Sequence, residues 1–218
     1  KSAKQTQIDT QTKTNTLRIS GVGSLKSALT AFQTALTNLG SKTNPAFAGF
    51  SATSGTPSIL GVTSDNTAVA GTYSVVVNNL ATSSKVASAS FAGGAASAIP
   101  SGTLKISQNG TDYNVTIPAN ATLQSTRDAI NSAQASNGIS ANIVTDSTGA
   151  SRLVISSSKT GSGSDLKVSG IAGLEIDGTQ PMGTNPSATS SGAVNGIAVD
   201  ASLTIDGLAV TSKSNTVT

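Results

Sequence analysis

The sequence predicts an α+β protein, mainly β, in which an N-terminal helix precedes two small β-rich domains. Three observations carry that reading. Apolar residues recur at helical spacing between Leu25 and Leu39, then give way after Pro45 to an alternating pattern. An Asn-Gly pair at 109–110 stands between two alternating runs, the short-range signature of a β-hairpin. Leu, Ile, Val and Phe supply only 47 of the 218 residues, and Ala makes up much of the 36% apolar fraction. Ser and Thr are abundant, a composition suited to sheets with narrow cores and many turns.

The helix is read from Ser24 to Leu39. Leu25, Leu29, Phe32, Leu36 and Leu39 fall on one stripe, with Ser24 as N-cap and Gly40 as stop. Residues 1–17 are polar and Thr-rich, apolar only at Ala3, Ile8 and Leu17, so a helix there needs a partner. So narrow a stripe packs against another helix, and no second long helix is evident. The partner is expected either in a longer chain, since this one starts at Lys1 without Met, or in another subunit.

Three strands are expected next, at Ser58–Thr63, Gly71–Leu80 and Lys85–Phe91, with Tyr73, Val75 and Val77 on one face. The small residues of Ala92–Pro100 mark a candidate boundary. Gly102–Gln108 and Thr111–Ile117 then flank Asn109-Gly110 in a type I′ turn, a register that pairs Ile106 with Tyr113 and Leu104 with Val115. A helix runs from Leu123 to Asn137, capped by Thr122 and stopped by Gly138, with Leu123, Arg127, Ile130 and Ala133 or Gln134 on its inner stripe. Ile139–Thr145 and Arg152–Ser157 form a second hairpin around Asp146-Ser-Thr-Gly149. Ser169–Asp200 reads as loops and short edges. Leu-x-Ile-Asp-Gly occurs at 174–178 and 203–207, each a strand end entering an Asp-Gly turn, and a final strand is placed at Leu203–Val210.

Composition excludes much chemistry. The chain has no His, Cys or Trp and a single Glu, so histidine triads, thiol nucleophiles and imidazole or thiolate zinc sites lack their atoms. No cofactor and no metal are expected. No apolar run reaches the ~18 residues of a membrane span. Residues 1–42 hold six Lys or Arg (Lys1, Lys4, Lys13, Arg18, Lys26 and Lys42) against Asp9 alone, whereas the rest has seven basic and nine acidic residues. The basic stripe lacks interleaved aromatics and reads as a solvated helix face rather than a nucleic-acid surface.

One enzyme signature is present in letters only. Ser156-x-x-Lys159, Ser64-Asp65-Asn66 and Lys159-Thr160-Gly161 match the motifs of penicillin-recognising serine enzymes. Their order is wrong, one lysine would serve two motifs, and Ser156 ends a strand where the chemistry needs a helix start. Gly161-Ser-Gly-Ser-Asp165 reads as a flexible turn. Asp177, Asp200 and Asp206 lack a calcium-loop spacing, and the sequons at Asn109, Asn114 and Asn120 read as accidents of composition. Tyr73 and Tyr113 are expected in the core.

With the segments in order, the chain resembles the bacterial flagellar filament cap family, hook-associated protein 2 or FliD. Leu25-Lys-Ser-Ala-Leu-Thr-Ala-Phe-Gln-Thr-Ala-Leu36 is similar to that family's leg helix, and Ala68-Val-Ala-Gly-Thr-Tyr-Ser-Val-Val-Val-Asn-Asn-Leu-Ala81 to its entry into the β-domains. Gly102–Ser157, with Arg127-Asp-Ala-Ile-Asn131 and Arg152-Leu-Val-Ile-Ser156, resembles a module shared with flagellins. Leu203–Asn215 looks like the strand returning toward the leg.

The resemblance implies a leg segment at 1–50, a discontinuous β-domain from 51–95 and 192–218, and an inserted α+β domain at 96–191. It also implies long C-terminal helices pairing with the first, which makes Leu25, Leu29, Phe32 and Leu36 the helix-pairing seam. Implied too are secretion through the flagellar channel, a ring-like homo-oligomer at the filament tip, and contact with flagellin and an export chaperone. No enzyme activity, nucleic-acid partner or membrane partner is expected. The other readings are a surface adhesin binding host mucin or glycans, and another axial component, flagellin or a junction protein.

Overall fold

The computed structural model describes residues 2–41, 49–65 and 67–218. Lys1 and Lys42 of the basic stripe, Pro45 at the change of period, and Asn66 of the Ser-Asp-Asn motif lie outside the described residues. The chain divides into two compact units, 1–72 and 73–218.

The first unit is dominated by helix α1, Ala3–Leu39, 37 residues long. Ser2, not Ser24, is its N-cap, accepting from the Gln5 amide at 3.4 Å. The Thr-rich opening, where a helix is expected to need a partner, is helical, and its hydroxyls turn back onto carbonyls of the preceding turn. Thr10 donates to the Thr6 carbonyl at 2.9 Å, Thr14 to Thr10 at 3.0 Å and Thr16 to Thr12 at 2.9 Å. The helix ends where the Gly40 amide donates to the Leu36 carbonyl at 3.0 Å.

Gly21 and Gly23 lie inside α1 with open space where a Cβ would be. Each costs ~1 kcal/mol relative to Ala. Gly21→Ala and Gly23→Ala should therefore each stabilise α1 by about that amount, read as increased helical ellipticity and a higher melting temperature; a loss of helicity in either variant would show that the glycines serve the helix in some other way.

Among the described residues of 49–72 there is no strand. The one expected at Ser58–Thr63 is a turn, in which the Ile59 and Leu60 amides both donate to the Thr56 carbonyl, at 2.9 and 3.1 Å. Pro57 lacks a ladder donor and presets its φ, which favours a turn.

The second unit is built from four antiparallel sheets and one helix. Its strands are β1 Val75–Asn79, β2 Ser83–Ala87, β3 Ala98–Ile99, β4 Gly102–Gln108, β5 Thr111–Ile117, β6 Ala121–Thr122, β7 Ile139–Thr145, β8 Ser151–Thr160, β9 Lys167–Ser169, β10 Ile176–Asp177, β11 Gly192–Ala193, β12 Ala201–Ile205 and β13 Leu208–Ser212, with helix α2 at Leu123–Gln134. The sheet orders are β1-β12-β13, β10-β9-β4-β5, β11-β2-β8-β7 and β3-β6.

The β4–β5 hairpin has the expected register, Ile106 opposite Tyr113 and Leu104 opposite Val115. Asn109 and Gly110 sit at φ 52° and 75°, as a type I′ turn requires. Thr122 caps α2 in a reciprocal box with Ser125, and Gly138 closes the following 3₁₀ turn at φ 75°. The buried stripe of α2 is Leu123, Thr126, Ile130 and Gln134. Arg127, expected on it, instead pairs with Asp128 at 2.6 Å. Thr126 takes the inner place, and its hydroxyl is buried without a partner.

The core lies between the β4–β5 sheet, the β7–β8 sheet and α2. Leu104, Ile106, Leu123, Ile130, Leu153 and Ile155 are fully buried there, each contributing about 1.5–3 kcal/mol by burial. Ala92–Pro100, expected as a boundary, belongs to this unit. Ile99 is buried, and β3 pairs with β6 through Ile99 and Ala121. The strand expected at Lys85–Phe91 is shorter, ending at Ala87, and β2 pairs with β8. Ser169–Asp200 is loops and short edges, yet Ile171, Leu174 and Ile176 from it are buried in the same core.

The two Leu-x-Ile-Asp-Gly repeats differ. At 203–207, Asp206 and Gly207 at φ 50° and 84° make a hairpin turn that splits the expected Leu203–Val210 strand into β12 and β13. At 174–178, Asp177 Oδ1 folds back to accept from the Thr179 amide and hydroxyl, at 3.1 and 2.7 Å.

Side-chain amides satisfy the main chain of two buried alanines, Ala141 and Ala81. Asn131 on α2 accepts from the Ala141 amide at 2.7 Å and donates to the Ala141 carbonyl at 2.9 Å, on the outer edge of β7. Asn215 does the same to Ala81, at 2.7 and 3.1 Å. Deeper, Gln108 is buried and joins three segments. Its Nε2 donates to the Ser164 carbonyl at 2.6 Å, and its Oε1 accepts from Ser157 Oγ at 3.0 Å.

Candidate functional site

Along α1 the residues Leu25, Leu29, Phe32, Leu36 and Leu39 follow spacings of four, three, four and three, so one stripe carries all of them. They are exposed, Leu25 by 61%, Leu29 by 58%, Phe32 by 62% and Leu36 by 51%. No described residue of α1 is buried. Val22, three residues before Leu25 and also exposed, extends the stripe. Sequence reading missed it by starting the helix at Ser24; the three-residue offset was the available signal. The opposite side of α1 is lined by Gly23, Ser27, Thr30, Ala31, Thr34 and Ala35. Most of a helix's stability in a protein comes from packing its apolar face, and a row of exposed Leu and Phe contributes nothing until something covers it.

Tyr73 was expected in the core and is 63% exposed. β1 starts only at Val75 and pairs on one edge alone, with β12. Tyr113 is half-buried against the core, where its hydroxyl accepts from Lys159 Nζ at 2.9 Å.

The enzyme-like letters do not converge. Ser156 lies mid-strand on β8, opposite Lys85 of β2 and Ser140 of β7, while Lys159 is engaged by Tyr113. Thr160 Oγ1 donates to the Lys213 carbonyl at 2.6 Å. The Gly161–Asp165 loop is occupied by the protein's own carboxylate, because the Ser162 amide donates to Asp200 Oδ1 at 2.6 Å. Gly161 is required there. At φ 96°, a Cβ would fall 2.8 Å from the Lys213 main chain.

Asp177, Asp200 and Asp206 serve separate amides, those of Thr179, Ser162 and Ser74. Among the described residues no three His, Cys, Asp or Glu gather as a metal cluster. Likewise none of the described helices is long and apolar enough to cross a membrane.

Four exposed carboxyls are held below the usual carboxylate range. Asp65, Asp146 and Asp177 each accept from the hydroxyl and amide of a Thr two residues on, and Asp112 accepts from Ser107 and Lys105. A lowered folded-state pKa contributes stability above the unfolded value that is lost as pH falls. The chain should lose stability as pH drops below about 4. Denaturant midpoints followed from pH 6 to pH 2 check this, and Asp146→Asn combined with Asp177→Asn should flatten the profile.

Residues 1–84 match the family "Flagellar hook-associated protein 2 N-terminus", and residues 103–159 the "Flagellin hook IN motif". The chain is 48% identical over 168 residues to the B-type flagellar hook-associated protein 2 of Pseudomonas aeruginosa, covering 76% of this chain and 35% of that protein. It is 37% identical over 222 residues to flagellar hook-associated protein 2 of Escherichia coli, covering 97% of this chain and 45% of that protein. The chain thus spans about a third to a half of these relatives' length.

Among solved structures, FliD (HAP2) from Pseudomonas aeruginosa superposes with a TM-score of 0.61 at 41% identity, covering 69% of this chain and 70% of that one. The flagellar cap protein FliD from Escherichia coli gives 0.56 at 32% identity, covering 72% and 53%. A structural relative of this identity and coverage, together with the match across the helix and first strand, shows that the chain belongs to the flagellar hook-associated protein 2 (FliD) family.

Proposed function

We propose that this chain is the working part of a filament cap, a structural assembly protein at the distal end of the bacterial flagellum that promotes flagellin insertion and folding there. The observation that carries the reading is α1, whose apolar row is exposed with no described residue of the helix buried, in a chain whose relatives are named flagellar cap proteins. Binding spread over surfaces does the work, and we assign no catalytic step. Leu25, Leu29, Phe32 and Leu36 form the helix-pairing seam in this reading. Self-association into a ring, contact with flagellin, prior engagement by an export chaperone and secretion to the filament tip belong to the same proposal.

The proposed domain plan keeps an insertion. β1 pairs with β12 from the far end of the sequence, which supports the discontinuous part of the plan of 51–95 with 192–218 around 96–191, while residues 51–72 fall in the same compact unit as α1. β2 pairs with β8, which favours starting the inserted part near residue 81.

The test is complementation. A protein of its relatives' full length that carries this chain should restore filament growth to cells that shed flagellin for lack of a cap. Continued shedding, with the protein present outside the cell, would overturn the reading. No observation favours the adhesin alternative, and mucin binding by the same protein serves as its control.

A further inference from the structure

Three Asn-Gly pairs occur, at 109–110, 137–138 and 195–196. Asparagine is thermolabile, and a following glycine, with no Cβ, lets its main-chain nitrogen approach the side-chain amide. Attack of that nitrogen on Cγ forms an N–Cγ bond as the Cγ–Nδ2 bond breaks. The glycine amide proton passes to solvent and ammonia leaves. Water then opens the resulting five-membered imide at either carbonyl, giving aspartate or isoaspartate, so the balance is one water consumed and one ammonia released.

The structure separates the three pairs. At Asn137 both groups are held, Nδ2 donating to Gln134 Oε1 at 2.8 Å and the Gly138 amide to the Ala135 carbonyl at 3.0 Å. Gly138 is also packed so tightly that a Cβ would fall 2.0 Å from Ser158 Oγ. Asn109 has open space around its glycine but is fixed by paired residues on both sides, Gln108 and Thr111. Asn195 is exposed in a bend at φ 63°. Neither its side chain nor the Gly196 amide has a hydrogen-bond partner among the described residues, and Gly196 faces open space.

We propose that Asn195 is a site of spontaneous, water-dependent conversion to aspartate and isoaspartate in the folded protein, with Asn109 slower and Asn137 protected. The position is not inert. On one side the Val194 amide donates to the Lys85 carbonyl at 2.7 Å, and on the other the Ala198 amide donates to Asp165 Oδ1 at 2.8 Å. Isoaspartate inserts an extra main-chain atom between these two anchors, and either product adds a negative charge.

The test ages the folded chain at neutral and mildly alkaline pH beside a sample in urea, and locates the products by peptide mapping with tandem mass spectrometry. Asn195 should convert in the folded sample at nearly its rate in urea. Asn137 should fall about tenfold or more behind its own urea rate, because it reacts only through local opening. Asn195→Gln should remove the signal at that position and leave that at Asn109. An Asn195 that keeps its amide in the folded sample, or is slowed there as much as Asn137, overturns the proposal.

Discussion

Replacing Leu29 and Phe32 together with aspartate is expected to abolish filament growth in the complementation assay, down to the level of cells with no cap. Both side chains are more than half exposed, and the β-rich unit has a core of its own. Its unfolding midpoint should move by no more than the ~0.5 kcal/mol typical of surface changes. In a paired helix the same two positions would be buried, each contributing about 1.5–3 kcal/mol. The substitution inserts two charges where that contribution is needed. Normal growth with the doubly substituted protein would sink the seam, whereas collapse of the β-rich unit would mean that α1 packs onto it.

Gln108→Ala carries the second large effect, this time on stability. The change leaves the Ser164 carbonyl unpaired, leaves the Ser157 hydroxyl with only the Lys159 amide donating to it at 3.0 Å, and opens a void between them. Unpaired buried polar groups cost about 1–3 kcal/mol each, so a total near 3 kcal/mol is expected, a sizeable part of the ~5–15 kcal/mol that holds a domain together. Urea denaturation of the 1–218 chain measures it. A change below ~1 kcal/mol would indicate that water replaces the amide at both contacts.

Where turn chemistry and side-chain pattern agreed, the sequence was legible to the residue. Asn109-Gly110 set the β4–β5 register, and Thr122 with Gly138 bounded α2 and its 3₁₀ extension. The misreadings came where local preference met long-range context. Ser24 looks like an N-cap in isolation, yet helix continuity through the Thr-rich opening overrode it. Tyr73 alternates correctly with Val75 and Val77, but alternation cannot tell whether a second layer covers the face.

Ser58–Thr63 had an apolar pattern and no strand to pair with. Gln108, placed by sequence only opposite Thr111, proved to be a buried joint, because its partners Ser157 and Ser164 are remote in the chain. The stripe of α1 was visible from spacing alone. Its extension to Val22 was not, since that depended on where the helix began.

The Asn131 clasp bears on what happens when many copies refold side by side. A sheet rim ordinarily offers hooks to any passing strand, and fibres grow by taking that offer repeatedly. Here the hooks at Ala141 are taken by an amide from the molecule's own helix, so a neighbour arriving there finds nothing to grip at that residue. At this one point, edge-to-edge fusion between crowded molecules is closed off by the fold itself.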